Sequence, residues 1–456
     1  MLRDGLRKAS SSSVIGVMDT KREDATGIVR NLRATGFQAF FVGGCVRDLV
    51  MGREPKDYDI ATDATPEQVL ALYPDALTVG AQFGVVVVPH EGGNVEVATF
   101  RSDGRYADGR HPSEVRFAKT PQEDVRRRDF TINGLLFDPP TEQVLDYVGG
   151  EADIRARRIR TIGDPVDRFN EDRLRMLRAV RFAARFKFVL DPAARDAIRK
   201  LAPQIQDVSA ERVRDEIIKI LTEGEARRGF ELLDETGLLA EVLPEIKALQ
   251  GVQQPPEFHP EGDVWVHTLM MLEGLRNPTP TLALGVLLHD VGKPPTFTIR
   301  ERIRFDNHVE VGAKMAEEIC HRMRLSSQDT ERIVELVQHH LRFKDFPRMK
   351  RSTQLRFLRL PGFDEHLELH RLDCLSSHRD LSNYDLARQL LAETPAEVIK
   401  PQPLLRGDDL IAQGYKPGPQ FKEILQALED AQLEGRLQTR EDALRLLEDH
   451  FPLPES

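Results

Sequence analysis

Aromatic residues make up only 6% of this 456-residue chain, and tryptophan occurs once. That scarcity excludes a row of stacked rings as the main device for gripping single-stranded nucleic acid. Cys45, Cys320 and Cys374 are the only cysteines, far apart and with no Cys-x-x-Cys. Neither a disulfide framework nor a cysteine zinc site is indicated, and this usage points to a reducing, cytoplasmic setting. No apolar run approaches the length needed to span a bilayer; the most apolar stretch, residues 282–288, is far too short. The N-terminus is basic and serine-rich but lacks the apolar core of a signal peptide. A net charge of −10 argues on average against a nucleic-acid partner. The charge is unevenly spread, however, and several segments are strongly basic. The length suits roughly two to four domains.

The richest stretch is residues 40–62, F-F-V-G-G-C-V-R-D-L-V-M-G-R-E-P-K-D-Y-D-I-A-T. An apolar run reads as a buried strand, and Gly43 and Gly44 stand where a helix carrying Arg47 should begin. Glycines there let backbone approach a ligand, and a helix start can face a phosphate. If Asp57 and Asp59 share a strand, they point to one face and present two carboxylates side by side. Such carboxylates repel unless a cation lies between them, which suggests Mg²⁺ over a nucleoside triphosphate. Glu96, in V-E-V-A-T-F-R, is the natural third carboxylate for a two-metal site. Residues 102–114 are polar and glycine-rich and read as a flexible loop beside it.

Arg127, Arg128 and Asp129, within R-R-R-D-F-T-I-N-G, form a ready triphosphate and ribose clamp, because guanidinium groups bind phosphate oxygens bidentately. Residues 164–187 read as one long basic helix with Leu174, Leu177, Val180 and Ala184 as its apolar stripe. On it, Asp172 and Arg175 lie three apart and could act together, with Arg178 following. Cytosine and adenine each present an exocyclic amine beside a ring-nitrogen acceptor. A carboxylate can accept from the amine while a guanidinium donates to the ring nitrogen. Uracil and guanine mismatch both contacts, so one Asp–Arg pair could choose CTP and ATP without a template. Glu211 and Arg212 open a further helix and read as structural.

A second constellation follows a proline-rich boundary at residues 255–260. His267, His289, Asp290 and Asp373 recur on helical segments, with His308 and either His339 or His340 as additions. Imidazoles and carboxylates from several helices suit a divalent metal with open positions for water. The chain ends in acidic amphipathic helices, where Gly414-Tyr415-Lys416-Pro417-Gly418-Pro419 reads as an interhelix turn, with some prospect of touching RNA.

Taken in order, these motifs resemble the polymerase-beta-like nucleotidyltransferase superfamily, and within it the class II CCA-adding tRNA nucleotidyltransferases and bacterial poly(A) polymerases. The second constellation resembles the HD phosphohydrolase superfamily. The resemblance implies an α+β fold: a nucleotidyltransferase head with a small mixed sheet, then an all-helical neck, an HD domain and C-terminal helices. It implies Asp57, Asp59 and Glu96 as catalytic carboxylates holding two Mg²⁺ ions, with Gly43, Gly44 and Arg47 at the triphosphate. Arg127, Arg128 and Asp129 match its ribose motif, and Glu171, Asp172 and Arg175 its base-choosing motif. It implies CTP, ATP and the acceptor stem and 3′ end of tRNA as partners, and a metal of unknown identity in the HD domain. The expected domains are a disordered leader to residue 21, a head over 22–163, a neck and body over 164–254, the HD domain over 255–390 and a tail to 456. The expected activity is CCA addition, with HD-domain hydrolysis as an accessory. Addition of A alone, poly(A) synthesis and a mainly hydrolytic enzyme are the alternatives. Poly(A) polymerases of this group carry a basic element where this chain has Gly80-Ala81-Gln82-Phe83, which tells against that alternative.

Overall fold

The computed structural model describes residues 9–78, 84–90, 92–103, 115–256, 259–260 and 262–452. Most of the glycine-rich loop and the Gly80-Ala81-Gln82-Phe83 element lie outside them. The chain divides into two units, Met1–Pro244 and Glu245–Ser456.

In the first unit β-branched and aromatic runs make short strands. They are β1 (Ala39–Val42), β2 (Asp59–Thr62), β3 (Val85–Val88), β4 (Val95–Thr99), β5 (Arg101–Asp103), β6 (Val115–Phe117), β7 (Leu135–Asp138) and β8 (Gln143–Asp146). Six form one sheet in the order β3-β4-β2-β1-β7-β8, while β5 and β6 pair separately. Within the six-stranded sheet only β2 and β4 run parallel and the other neighbours are antiparallel; Arg158–Ile159 and Val189–Leu190 form a separate parallel pair. A mixed sheet results, as expected for the head. Phe41, Ile60, Val86 and Val97 are fully buried, each contributing about 1.5–3 kcal/mol to folding.

The N-terminal helix covers this sheet with Ala25, Ile28, Val29 and Leu32. It spans Ala9–Ala34, so most of the expected disordered leader is helical. Serine costs a helix only a few tenths of a kcal/mol per residue, and a helix anchored by a buried stripe extends readily.

The expected single helix over residues 164–187 is two helices, Pro165–Glu171 and Leu174–Phe186. Asp172 breaks it: its backbone is extended and its carboxylate accepts the Leu174 N–H at 3.1 Å. Aspartate competes for backbone donors in this way and favours helix starts over interiors. Leu174–Phe186 packs against Ala210–Thr222 and Ala226–Glu235. Ala226–Glu235 also lies close to Ala210–Thr222 at Gly229, where a Cβ would lie 2.4 Å from the Ile220 side chain. Arg175 and Arg181 are buried.

The second unit is helical apart from a hairpin, Phe297–Ile299 with Ile303–Phe305. Val264–Gly274, Pro280–Leu288, His308–Arg322, Ser327–His339 and Phe363–Ser376 surround the histidines. A separate apolar cluster of Leu405, Leu410, Ile424, Leu428 and Leu447 holds the C-terminal helices. Tyr415 belongs to that cluster and donates its hydroxyl to the Phe451 carbonyl, so its ring is turn structure and not a surface for RNA. Among the described residues no helix is long and apolar enough to cross a membrane.

Candidate active site and candidate metal centre

In the head, parallel pairing of β2 with β4 sets Asp59 in register with Glu96. Burial first, then the charges of Glu96 and Asp57, push the Asp59 carboxyl up to about 6 against the opposing pull of Arg128. A carboxylate so unfavourable in isolation fits a divalent cation, which takes oxygen ligands. Asp57 is not on the strand, contrary to the alternation argument. β1 ends at Val42 and turns into the helix Gly44–Val50, leaving no antiparallel partner opposite Asp57. Its side chain is 74% exposed and pairs with Lys21 at 3.2 Å. Among the described residues, Asp57, Asp59 and Glu96 do not bring three ligand atoms within 4.8 Å of one another.

Gly43 has φ 76° and ψ −128°, a conformation that side chains resist. A Cβ there would also meet an Nη of Arg128 at 3.3 Å. Arg128 reaches this point while its Nε and other Nη donate to Asp124 at 3.1 and 2.9 Å. Arg127 donates to the second Asp124 oxygen at 2.9 and 2.7 Å. Asp124 is thus the buried hinge of the arginine pair. Its position three and four residues ahead of them was the available signal, and sequence reading passed over it.

Arg47 is buried rather than open to a phosphate. It donates to Asp48 at 2.8 Å and to Asn133 at 2.8 Å, and its guanidinium lies 4.5 Å from the Phe186 ring centroid. It ties the Gly44–Val50 helix to the neck. Asp129 is similarly committed, accepting from Arg178 at 2.9 and 2.7 Å, from Asn133 and from the Phe130 N–H. Burial opposes its ionisation, but the Arg178 charge and these donors outweigh it and hold the carboxyl at about 2.

On the neck, Arg175 pairs with Glu171 at 2.7 Å and Asp172 with Arg212 at 2.8 Å. Asp172 and Arg175 therefore flank the helix break, each oriented by a different partner, instead of sitting on one helical turn. Arg212, expected to be purely structural, is the group that aims Asp172. Arg168 bridges the two regions by donating to the carbonyls of Arg127 and Arg128, both at 2.5 Å.

The second unit assembles the histidine cluster. His267, His289 and Asp290 bring ligand atoms within 4.8 Å of one another, as do Asp290, His308 and His340. Asp373 lies 3.2 Å from His267. His340 joins the cluster, whereas His339 packs against His366 and Phe357. His289, His308 and His340 each place Nδ1 against a backbone carbonyl three residues back, at 2.8, 2.9 and 2.7 Å. That contact fixes the tautomer and leaves Nε2 as an inward lone pair. All three Nε2 atoms and Asp290 Oδ1 are buried without a hydrogen bond, while Asp290 Oδ2 is answered by Lys293. Buried acceptors left this way fit a divalent metal. Lys293, overlooked in the sequence, sits 2.7 Å from Asp290.

Residues 39–160 match the poly A polymerase head domain, residues 187–250 the probable RNA and SrmB-binding site of polymerase A, and residues 264–368 the HD domain. The CCA-adding enzyme of Geobacillus stearothermophilus is 46% identical over 218 residues, covering 48% of this chain and 54% of that protein. That of Bacillus subtilis strain 168 is 44% identical over 218 residues, covering 48% and 55%. The chain thus spans about half the length of the curated relatives it matches. The crystal structure of the Bacillus stearothermophilus CCA-adding enzyme in complex with CTP aligns over 94% of this chain and 97% of that one, with TM-score 0.74 and 29% identity. Matches to a head domain, an RNA-binding region and an HD domain thus follow one another along this chain, whose architecture is similar to that of a solved CCA-adding enzyme.

Proposed function

We propose that the chain adds C, C and A, from CTP and ATP, to the 3′ end of tRNA without a nucleic-acid template, releasing pyrophosphate. The observation that carries this reading is the Asp59–Glu96 register, with the Asp59 carboxyl raised by its acidic neighbours. Asp57, Asp59 and Glu96 would hold two Mg²⁺ ions, which when bound favour the attacking 3′-oxygen and the departing pyrophosphate. Residues 22–163 serve as the head and 164–254 as neck and body in this scheme. Gly43 and Gly44 admit the triphosphate, with Arg47 fixing the helix beneath them. Arg127 and Arg128, aligned by Asp124, border the sugar and phosphates, while Asp129 and Arg178 lock that border to the neck.

Asp172 accepts from the exocyclic amine of C or A, and Arg175 donates to the ring nitrogen. Arg212 fixes the Asp172 carboxylate in direction. The CTP complex of the Bacillus stearothermophilus relative supports nucleotide binding by this architecture. Phosphates of the acceptor stem would meet the basic neck, making tRNA binding salt-sensitive. A cytoplasmic site of action accompanies this reading. Residues 255–390 carry a divalent metal in the HD cluster and an accessory hydrolytic activity, supported by the inward Nε2 atoms.

The test is incorporation of labelled CTP, ATP, UTP and GTP into tRNA lacking its 3′ end. Asp57→Ala should abolish incorporation while tRNA binding persists, and substantial residual transfer would reject the scheme. Asp172→Ala should lose the preference for C and A over U and G at least in part; unchanged selectivity would remove Asp172 from base choice.

A further inference from the structure

The two halves of the broken neck helix are each tied to the arginine turn of the head. After the break, Arg178 donates to the Asp129 carboxylate at 2.9 and 2.7 Å. Before it, one Nη of Arg168 donates to the Arg127 and Arg128 carbonyls at 2.5 Å each, while the other Nη donates to Glu171. Arg175 closes the same ring. Its Nη1 donates to the shared Glu171 oxygen at 2.7 Å and to the Arg168 carbonyl at 3.1 Å, and its Nη2 lies 3.4 Å from the Arg127 carbonyl. Arg168 and Arg175 are both buried. Asp172 and Arg175 therefore stand between two anchors, Arg168 before the break and Arg178 after it. The anchored turn carries Arg128, whose guanidinium reaches Gly43.

We propose that Arg168 is a positioning residue for nucleotide choice. It sets the distance between the base-reading pair, Asp172 and Arg175, and the arginine turn that borders the sugar and phosphates. A nucleotide held at both ends is selected by its base only while that distance is fixed. A reader free to shift against the clamp meets the carbonyl and N–H edge of uracil or guanine by moving, instead of rejecting it. The guanidinium suits this task because its planar fork serves two carbonyls from one Nη and a carboxylate from the other. A lysine ammonium carries the charge without the fork, so it is the conservative variant that a charge-only role tolerates. The proposal rests on the reading of Asp172 and Arg175 as base readers and extends it to a residue that acts through them.

Steady-state incorporation of CTP, ATP, UTP and GTP into tRNA lacking its 3′ end tests it, with kcat and KM measured separately for wild type, Arg168→Lys and Arg168→Met. Calorimetric titration of the tRNA-free full chain with CTP and UTP adds a readout independent of turnover. The expected result in both variants is a rise of about tenfold or more in KM for CTP and ATP, since a displacement of about 1 Å can cost about a hundredfold. The ratio of kcat/KM for C and A over U and G should fall about fivefold or more. A purely structural role lowers kcat alike for all four nucleotides and leaves KM, nucleotide binding and the ratios unchanged; that result overturns the proposal. So does full activity and selectivity in Arg168→Lys, which leaves charge alone as the requirement. The Asp129–Arg178 anchor is untouched by either substitution, and urea unfolding checks that each variant is folded. If Arg168→Met is not, Arg168→Lys decides. Unchanged selectivity in Asp172→Ala removes the base-reading scheme, whereas selectivity lost in Asp172→Ala and kept in the Arg168 variants removes only this inference.

Discussion

Asp59 is held in a position that the metal-free fold disfavours. With its carboxyl raised from 3.8 to about 6, the native state takes up a proton in that window that the unfolded chain does not. Stability therefore falls as pH rises from about 4 to 6, and the full cost is present at neutral pH. Asp59→Asn should stabilise the metal-free protein at pH 7.5 by about 1–3 kcal/mol in urea unfolding, while eliminating nucleotidyl transfer. A destabilised variant would contradict this assignment. Gly43 is constrained in the opposite sense, by its positive φ and by the nearby Arg128. Gly43→Ala should cost about 1–3 kcal/mol, read by the same unfolding measurement. Both residues were legible in the sequence because backbone demand and like-charge crowding each select a residue type. Asp124 was not, because a single acid before three arginines reads equally well as a surface neighbour.

At the scale of elements, the neck is built around a break. Arginines and leucines recur smoothly through residues 164–187, and that periodicity hid the interruption at Asp172. A side chain that caps its own successor leaves little trace in a hydrophobic pattern. The break has a consequence for Asp172 and Arg175, since each is steered by a separate partner, Arg212 and Glu171. Between head and neck, the Asp129–Arg178 pair joins the two segments. Asp129→Ala should destabilise the protein by about 1–3 kcal/mol, since half-buried Arg178 loses its hydrogen-bonded counter-charge and keeps only the more distant Glu216 at 3.9 Å. Restoration in the Asp129→Ala/Arg178→Met double variant would establish the pairing; equal loss from each single change with no coupling would refute it.

The whole molecule carries two sites of different readiness. In the second unit the imidazoles are already aimed at a common point by backbone carbonyls. In the first, the carboxylates stand apart, with Asp57 on Lys21. A divalent ion at about a hundredfold excess over its dissociation constant should stabilise the second unit by about 2.7 kcal/mol. Asp290→Ala should abolish that shift, and an identical response in wild type and variant would place the ion elsewhere. The order of motifs made the sequence informative at this scale, since strand, Gly-Gly, Asp-x-Asp and later the histidines must come together in one fold. The central claim is tested most directly by giving the purified chain tRNAs ending at the discriminator base, in C or in CC, with CTP and ATP supplied separately and together. The account predicts completion of CCA on all three with both nucleotides, and with ATP alone a single A only on the CC-ended tRNA. Long A tails, A addition restricted to the CC-ended tRNA even with CTP present, or no incorporation would each contradict it.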